Sequence, residues 1–416
     1  MAIQAHPLRR QVVEEMHLRP TLQVAIPGVV IQTVRLVSQG ERTAEIDAIL
    51  PLSEDCADRD ARHLKGLLPQ GVRFAWERHS EGSTTTLVLP TSIDASRADG
   101  ATAWIESLPG QVMRATRIEF VEHDAAGLIM LERFVTSDLV AGQIGSARFW
   151  SDFRIHEGGY GLIIIAANDE DRARLSRRVQ ELQELGNYRN LALMGLALVR
   201  NTGDELARIE HEIAEASGAL LVNDGSDEVL LGTLTALAAQ TAAFSSTAGY
   251  RLSATRAYGQ IVVDRLGELA AEPIEGFQTL QGFTDRRLLP ALRTCEAFRR
   301  RIETASTSLE RATSLLSTRI ELRLAHQNVA LLQSLERSSS LQLHLQRLVE
   351  GLSIVALSYY SLGLLEMVLK GLWRHHILAI APGTLLAVAV VPMLIVFAML
   401  LRWHTRRLHI RGARAR

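Results

Sequence analysis

Two long apolar segments near the carboxyl end are the strongest constraint on the fold of this chain. Residues 351–369 and 377–401 are separated only by the loop 370–376. The second segment has no charged side chain, and at about 1.5 Å per residue a helix of this length crosses a hydrocarbon core of roughly 30 Å. The first segment contains one carboxylate, Glu366, near its far end. The pattern predicts a transmembrane hairpin whose partner is the lipid bilayer.

The rest of the chain has the composition of a water-soluble body. Of 416 residues, 22% are charged, and the formal net charge of −1 provides no field that would attract nucleic acid. The roughly 350 residues outside the hairpin must bury their own cores, so two domains are expected there. Residues 1–20 contain no apolar run typical of a signal peptide, and the body is therefore expected in the cytosol. Cys56 and Cys295 lie far apart, which gives no sign of a disulfide framework.

The placement of arginines predicts the orientation of the hairpin. The loop between the two segments offers only Lys370 and Arg374 as cations of this type. The tail after the second segment is richer, with Arg402, Arg406, Arg407, Arg411, Arg414 and Arg416. Because cytoplasmic flanks of membrane spans carry an excess of Lys and Arg, both termini are predicted to be cytoplasmic.

The amino-terminal part is predicted to be an α/β domain. Short aliphatic or β-branched runs between Gly, Pro or polar residues indicate strands at 29–37, 84–89, 117–121, 127–131 and 162–166. Helical patterns lie among and after them, at 54–68, 169–186, 188–199, 205–216, 228–247 and 253–271. The Gly158-Gly159-Tyr160-Gly161 run precedes an aliphatic strand and is interpreted as a hairpin turn rather than a phosphate-binding loop.

A stretch without Gly or Pro, 291–350, leads directly into the first apolar segment. As one helix it would be about 90 Å long, which is more typical of a coiled coil or stalk than of a globular element. Gly282 and Pro290 mark its expected beginning, and the Ser/Thr-rich part 304–317 is where a break is expected. An unbroken stalk and an antiparallel helical bundle are both compatible with the pattern.

The predicted fold class is thus an α/β cytosolic head followed by a helical middle, a long stalk helix and a two-helix transmembrane hairpin. Its parts are the head (1–186), the helical region (187–282), the stalk helix or helices (283–350), the hairpin (351–401, with spans 351–369 and 377–401) and a basic cytosolic tail (402–416).

A polar stripe follows the stalk into the first span. Asn328, Ser339, Glu350 and Ser361 lie eleven residues apart, and eleven residues make about 3.67 per turn, so the four stay nearly in line. In a symmetric oligomer this face would line an axial pathway; in a bundle the same side chains would bond to neighbouring helices. The pore-lining candidates are Asn328, Ser339, Gln346, Glu350, Ser353, Leu357, Tyr360, Ser361 and Leu364.

Three titratable side chains lie at the predicted outer mouth. Glu366 would attract cations in a ring of carboxylates, or extend to the lipid headgroups. His375 and His376 would meet entering cations, or anchor the interface together with Trp373.

Metal and catalytic chemistry find little support. Four side chains near the amino end could ligate a metal, namely His6, Glu14, Glu15 and His17. Such residues more often cap helices or pair with arginines, so whether the chain binds a metal is unknown from the sequence. The Walker, dinucleotide, nucleophile-elbow and zinc-protease motifs do not occur, so no cofactor and no enzymatic activity are expected.

The run of motifs along the chain resembles an uncharacterised bacterial family of predicted membrane-anchored proteins with a domain of unknown function. The motifs are His6-Pro7-Leu8-Arg9, Glu15, His17, Arg19-Pro20, Trp150-Ser151-Asp152-Phe153-Arg154, Arg256-Ala257-Tyr258, Arg286-Arg287-Leu288, Pro290, Arg293-Thr294-Cys295, Gln327-Asn328, Val349-Glu350-Gly351-Leu352-Ser353 and Ser358-Tyr359-Tyr360. The resemblance covers nearly the whole chain and implies a bacterial inner-membrane location, but no activity.

A more distant resemblance concerns architecture. The order of head, helical middle, long helix, two spans and basic tail is similar to the plan of the CorA-type divalent-cation transporters. That resemblance implies a homopentamer whose first span lines the pore and ends in a Gly-Met-Asn signature. Here the corresponding place is Tyr359-Tyr360-Ser361-Leu362-Gly363, so the signature is absent.

The expected function is accordingly that of a CorA-like oligomeric inner-membrane channel or transporter for an inorganic ion that the sequence does not identify. The alternative is a membrane-anchored scaffold or sensor without transport activity.

Overall fold

The computed structural model describes residues 6–9, 13, 22–54, 59–222, 226–374 and 380–412. The chain divides into two compact units, Met1–Ser314 and Leu315–Arg416.

The first unit is built on one eight-stranded sheet. In chain order the strands are β1 (Gly28–Leu36), β2 (His63–Leu67), β3 (Arg73–Arg78), β4 (Gly82–Pro90), β5 (Gln111–Val121), β6 (Val140–Ile144), β7 (Ala147–Ser151) and β8 (Gly161–Ala166). Their order across the sheet is β2-β3-β4-β1-β5-β8-β7-β6. Only the pair of β5 with β8 is parallel; the other neighbours are antiparallel, so short hairpins suffice to connect most of them.

Seven helices accompany the sheet in the described part of the chain. They are α1 (Arg42–Ile49), α2 (Ala95–Ser107), α3 (Asp124–Ile129), α4 (Arg172–Val222), α5 (Asp227–Leu269), α6 (Leu280–Arg374) and α7 (Pro382–Gly412). Helix α6 begins in the first unit and ends in the second, and α7 lies wholly in the second.

Alternating side chains of the strands supply two apolar faces, as expected for a sheet covered on both sides. One face packs against α1 and α2 through a core that includes Ile31, Ile49, Leu64, Phe74, Leu87 and Ile105. The opposite face packs against α4, α5 and the start of α6 through Ile118, Ile163, Leu182, Val262, Phe283 and Leu288. The sheet is therefore the central layer of the first unit.

The α/β class and the helical character beyond residue 187 are confirmed. Strands β1, β4, β5 and β8 lie where the sequence predicts them, with ends shifted by one to six residues. Strands β2, β3, β6 and β7 were not predicted. The hairpin turn before β8 is confirmed, since β7 and β8 are antiparallel and Gly158 and Gly159 both adopt φ of +84°.

Two predicted elements of the head are wrong. Residues 127–131 belong to α3 and a following 3-10 turn, and their apolar side chains Leu128 and Ile129 are exposed. Asp124 in the first turn favours a helix there. The predicted helix at 54–68 contains β2 instead, because Gly66 lets this strand lie against the ring of Phe74 and pair with β3.

The helices are longer than predicted. The three helices expected between 169 and 216 form the single helix α4, and the two expected between 228 and 271 form α5. Helix α6 has no break at 304–317 and includes Pro290. Tertiary packing of apolar faces outweighs the small local penalties of Gly, Ser and Thr that suggested interruptions.

Cys295 is a buried free thiol in α6, and Cys56 lies outside the described residues.

The strand assignment of β2 can be tested with Leu64 and Leu67. In the strand, side chains three residues apart point to opposite faces, and Leu64 is 1% exposed whereas Leu67 is 47% exposed. We expect Leu64→Ala to lower the free energy of unfolding by about 2–5 kcal/mol and Leu67→Ala by less than about 1 kcal/mol. Denaturant unfolding of the purified chain measures both values. Equal losses would favour a helix, in which residues three apart share a face.

Candidate functional site

The predicted polar stripe lies on α6 within the second unit, and the structure divides it into a covered and an uncovered part. Asn328, Ser339 and Gln346 are exposed, in a helical stretch, 321–349, where every side chain is exposed. Glu350, Ser353 and Ser361 are half-buried. Leu357, Tyr360 and Leu364, in contrast, are exposed at 45%, 70% and 67%.

The half-buried residues belong to a continuous covered face of α6. Less exposed positions recur every three or four residues, at 350, 353, 354, 358, 361, 362, 365, 366 and 369. Helix α7 has a matching series at 382, 385, 386, 389, 390, 393 and 397. Such spacing is that of one helix face packed on another. Within the second unit, Glu350, Ser353 and Ser361 therefore lie on the less exposed face of α6.

Local hydrogen bonds satisfy several of these polar groups. Gln346 Nε2 donates to Glu350 Oε1 at 3.1 Å, and Ser353 Oγ donates to the carbonyl of Val349 at 2.7 Å. Ser358 is 3% exposed, and its hydroxyl has no partner among the described residues. Glu366 forms an ion pair of 2.6 Å with Lys370, one turn further along α6. His375 and His376 lie outside the described residues.

The predicted metal ligands are not brought together in the part of the chain that the structure describes. His6 is exposed and accepts a hydrogen bond from the backbone N–H of Leu8. Glu14, Glu15 and His17 lie outside the described residues. Among those that are described, no group of three or more His, Cys, Asp or Glu side chains is placed to hold a metal ion.

The Trp150-to-Arg154 motif forms a compact polar corner after β7. The Asp152 carboxylate is 2% exposed and accepts bonds from the backbone N–H groups of Arg154 and Val135 and from the ring of His156. Burial alone would raise the pKa of Asp152, but these three donors lower it below its ordinary value. The motif thus fixes the chain between β7 and β8 rather than presenting a reactive group.

Phe153 of the same motif contacts a buried arginine. The Arg189 guanidinium lies 4.5 Å from the centre of the Phe153 ring and 5.7 Å from that of Phe283. Burial and the nearby Arg287 lower the pKa of Arg189 to about 10. These cation–π contacts join the β7–β8 connection to α4 and to the start of α6.

A second buried arginine, Arg114 on β5, organises the polar groups between the sheet and α4. Its side chain is 7% exposed, and Nη1 donates to Gln183 Oε1 at 2.7 Å and to Asn187 Oδ1 at 2.6 Å. Burial and Arg189 lower the pKa of Arg114 to about 9, so it remains a cation at neutral pH. No ion pair of Arg114 with a carboxylate occurs among the described residues. The charge is therefore solvated by amide oxygens alone.

Close approach of Arg114 to α4 depends on Gly186. A Cβ at this position would lie 2.6 Å from Arg114 Nη2 and 2.7 Å from Cζ. Such distances are far shorter than ordinary contacts, so any other residue would displace the guanidinium. The sequence pattern predicted that a helix ends at Gly186. In the structure α4 continues through this residue, and the absence of a side chain there leaves room for the Arg114 guanidinium.

A cavity of about 240 Å³ lies next to this network. Its floor is the face of β1 and β4 that carries Gln32 and Thr86, continued by β2 and β3, and its wall is α4 from Ser176 to Leu191. Gln183 and Asn187, the two acceptors of Arg114, belong to that wall. Concave sites with an apolar lining and a few convergent polar groups are the usual form of a small-molecule site.

Sequence reasoning missed this network, although a signal for it exists. Arg114 and Thr116 share the buried face of β5 with Ile118 and Phe120, because every second residue from 114 to 120 is buried. Gln183 and Asn187 stand four residues apart on α4, the spacing of one helix face. A cation on the core side of a strand needs buried acceptors, and the pair on α4 supplies them.

The chain belongs to DUF3422, a family of proteins of unknown function, whose family model matches residues 4–408. No curated protein and no solved structure matches it. The likeness to the CorA-type transporters thus rests on the order of elements alone.

Proposed function

We propose that this chain is an integral membrane protein, anchored by a hairpin of α7 and the last quarter of α6, whose first unit works in the cytosol. The observation that carries the proposal is the exposed apolar surface of the last quarter of α6 and of α7 as far as Leu400. Helices α5, α6 and α7 are each long and apolar enough to cross a membrane by length and composition. A bilayer is the environment in which such a surface is stable.

Exposure of large apolar side chains is continuous on both helices of the hairpin. On α7, Val388, Val391 and Met399 are 75%, 62% and 67% exposed. On α6, Leu352 and Met367 are each 72% exposed. In water these side chains would each cost on the order of 1–2 kcal/mol relative to an apolar environment. Lipid acyl chains would cover them without any further protein contact.

In this proposal, α5 is apolar because it packs on the core of the first unit and not because it crosses the membrane. It buries Leu234, Leu237, Phe244 and Val262 along one face, and Val262 belongs to the core of the first unit. A surface helix that packs one stripe on a core is expected to be apolar on that side. We therefore place α5 in the cytosolic unit and keep two spans.

Orientation follows from the arginines at the carboxyl end. The stretch after the second apolar segment carries Arg402, Arg406, Arg407 and Arg411, against Lys370 and Arg374 in the loop. The excess favours a cytoplasmic location for the arginine-rich end, in the inner membrane of a bacterium. With two spans the first unit lies on the same side.

The exposed stretch 321–349 of α6 supports a homo-oligomer. Leu324, Leu331, Leu335, Leu345 and Val349 occupy five of the nine a and d positions of a seven-residue repeat, and each is more than half exposed. The charged residues of this stretch after Glu321 are confined to the remaining b, c and f positions, namely Arg323, Glu336, Arg337 and Arg347. A second copy of the same helix would bury the leucine face while the charges stay in water.

Ion conduction along α6 is the second candidate. Leu357, Tyr360 and Leu364 are exposed and would face the axis of an oligomer that continues the leucine face into the bilayer. Leucine rings form hydrophobic constrictions, and the half-buried Ser361 would add a hydroxyl beside them. The covered position of Glu350, Ser353 and Glu366 favours the anchor over the pore.

Membrane insertion is tested by charges at the middle of α7. Two lysines at the centre of a span cost on the order of 5 kcal/mol, so the double variant Val388→Lys/Val391→Lys should lose membrane association that resists alkaline carbonate. The control is Ala236→Lys/Ala239→Lys at exposed positions of α5, which should remain in the membrane fraction. Retention of the α7 variant, or loss of the α5 variant, would contradict the proposed hairpin.

Conduction is tested in liposomes. If α6 lines a pore, K⁺ or Mg²⁺ flux through reconstituted oligomer should be abolished by Ser361→Leu and unchanged by Val391→Leu on α7. Native mass of the solubilised protein comes first, and the CorA-like plan predicts five copies. A monomer, or a stable oligomer without flux of either ion, would exclude conduction and leave the anchor.

A further inference from the structure

The cavity beside Arg114 has a wall whose hydrogen-bond polarity is fixed. A guanidinium has donors only, so Gln183 and Asn187 must turn their oxygens toward Arg114. The amide nitrogens of both residues then point away from it. Thr116 Oγ1 also donates to Gln183 Oε1, at 3.0 Å, which adds to the same orientation.

The same order of hydrogen-bond donors and acceptors continues from Asn187 to the floor of the cavity. Asn187 Nδ2 donates to Gln32 Oε1 at 3.0 Å, and Gln32 Nε2 donates to Thr86 Oγ1 at 3.0 Å. Because the Thr86 oxygen already accepts this bond, its own hydrogen is available as a donor. The chain from the buried cation thus ends in a hydroxyl donor at the cavity surface.

The second branch of the network, from Arg114 to Gln183, ends in an amide donor. Gln183 is 2% exposed, and its Nε2 has no hydrogen-bond partner among the described residues. A buried amide N–H without an acceptor costs about 1–3 kcal/mol, so the site is built to receive one. Both ends of the network that line the cavity therefore donate.

Charges around the cavity favour an anion at this point. Glu184 forms an ion pair of 2.8 Å with Arg265, and Glu77 lies 3.8 Å from His79. Lys65 also lines the floor. Glu184 is thus paired with a cation, and no carboxylate pairs with Arg114 among the described residues, so the inner wall retains the positive charge of the guanidinium.

Another part of the lining is apolar. Leu22, Val24, Val30, Val88, Val179 and Leu191 surround the polar wall. A volume of about 240 Å³ is slightly below the range of roughly 300–1,000 Å³ for drug-sized ligands, which indicates a smaller molecule. The lining is suited to a short hydrocarbon body attached to one acceptor group.

We propose that this cavity binds a small organic monocarboxylate, with its carboxylate on the Gln183 amide and the Thr86 hydroxyl and its apolar body against the valines and leucines. The site lies within the first unit and does not depend on membrane insertion. It gives that unit a ligand-sensing role of its own, in addition to the proposed anchor.

Gln183→Glu is the sharpest test, because it keeps acceptor oxygens for Arg114 and Thr116 and replaces the donor by a second oxygen. The probe is hexanoate, measured by calorimetry on the full-length solubilised protein, with hexylamine, hexan-1-ol and inorganic phosphate as comparison ligands. We expect hexanoate to bind and the other three to bind at least about tenfold more weakly. Gln183→Glu should abolish hexanoate binding and leave the unfolding midpoint unchanged or raised.

Two further variants complete the test. Gln281→Glu, an equal charge change at an exposed position of α6, should bind hexanoate as the original chain does. Thr86→Val removes the second donor at nearly constant volume and should weaken binding several-fold. Equal hexanoate affinity in Gln183→Glu, equal affinity for hexan-1-ol or phosphate, or no binding of hexanoate to the original chain would each overturn the proposal.

Discussion

The buried guanidinium of Arg114 is the interaction on which the rest of the first unit depends. Moving a cation out of water is costly unless hydrogen bonds replace its hydration. Here the replacement comes from two amide oxygens of α4, and a third amide, Gln32, carries the network to β1 and β4. One charge on β5 thereby joins the centre of the sheet to the helix that covers it, and the same charge fixes which way the amides of Gln183, Asn187 and Gln32 point.

The second unit is governed by a different constraint, the need to cover apolar helix surface. A water-soluble helix of this length would confine its leucines and valines to one face, whereas α7 exposes them around most of its circumference as far as Leu400. Between 321 and 349 the exposed leucines of α6 share the helix surface with Arg323, Glu336, Arg337 and Arg347. From Gly351 to Leu365 no charged side chain occurs, and this change marks the place where we expect the chain to leave water and enter lipid.

Sequence patterns were most informative where one physical effect dominates. Strands such as β1 and β8 are buried on both faces and are rich in aliphatic and β-branched residues, so they were predicted closely. Strand β2 was mistaken for part of a helix because its identity depends on pairing with β3 and on the fit of Gly66 against Phe74, neither of which is local. The helix breaks expected after residue 186 and between 199 and 205 do not occur for the same reason, since packing of α4 on the sheet and on α5 outweighs the local glycine penalties.

The candidate sites likewise divide into features that follow from local spacing and features that depend on tertiary packing. The stripe on α6 could be predicted because helical spacing alone brings its members into line, but which of them are half-buried is a tertiary property. The network around Arg114 joins β1, β4, β5 and α4, whose members are as far apart as residues 32 and 187. Motif residues such as Asp152 proved to support the chain connection after β7, which explains a recognisable pattern without implying chemistry.

The most direct test of the role of Arg114 is a double-mutant cycle of Arg114→Met and Asn187→Leu, with the free energy of unfolding measured for both single variants and the double variant. Each single change leaves buried partners unsatisfied, whereas the double change removes the pair together. We therefore predict a coupling energy of about 1–3 kcal/mol, with the double variant more stable than the sum of the single losses implies. Additive losses, within about 0.5 kcal/mol, would contradict the claim that this contact holds α4 to the sheet.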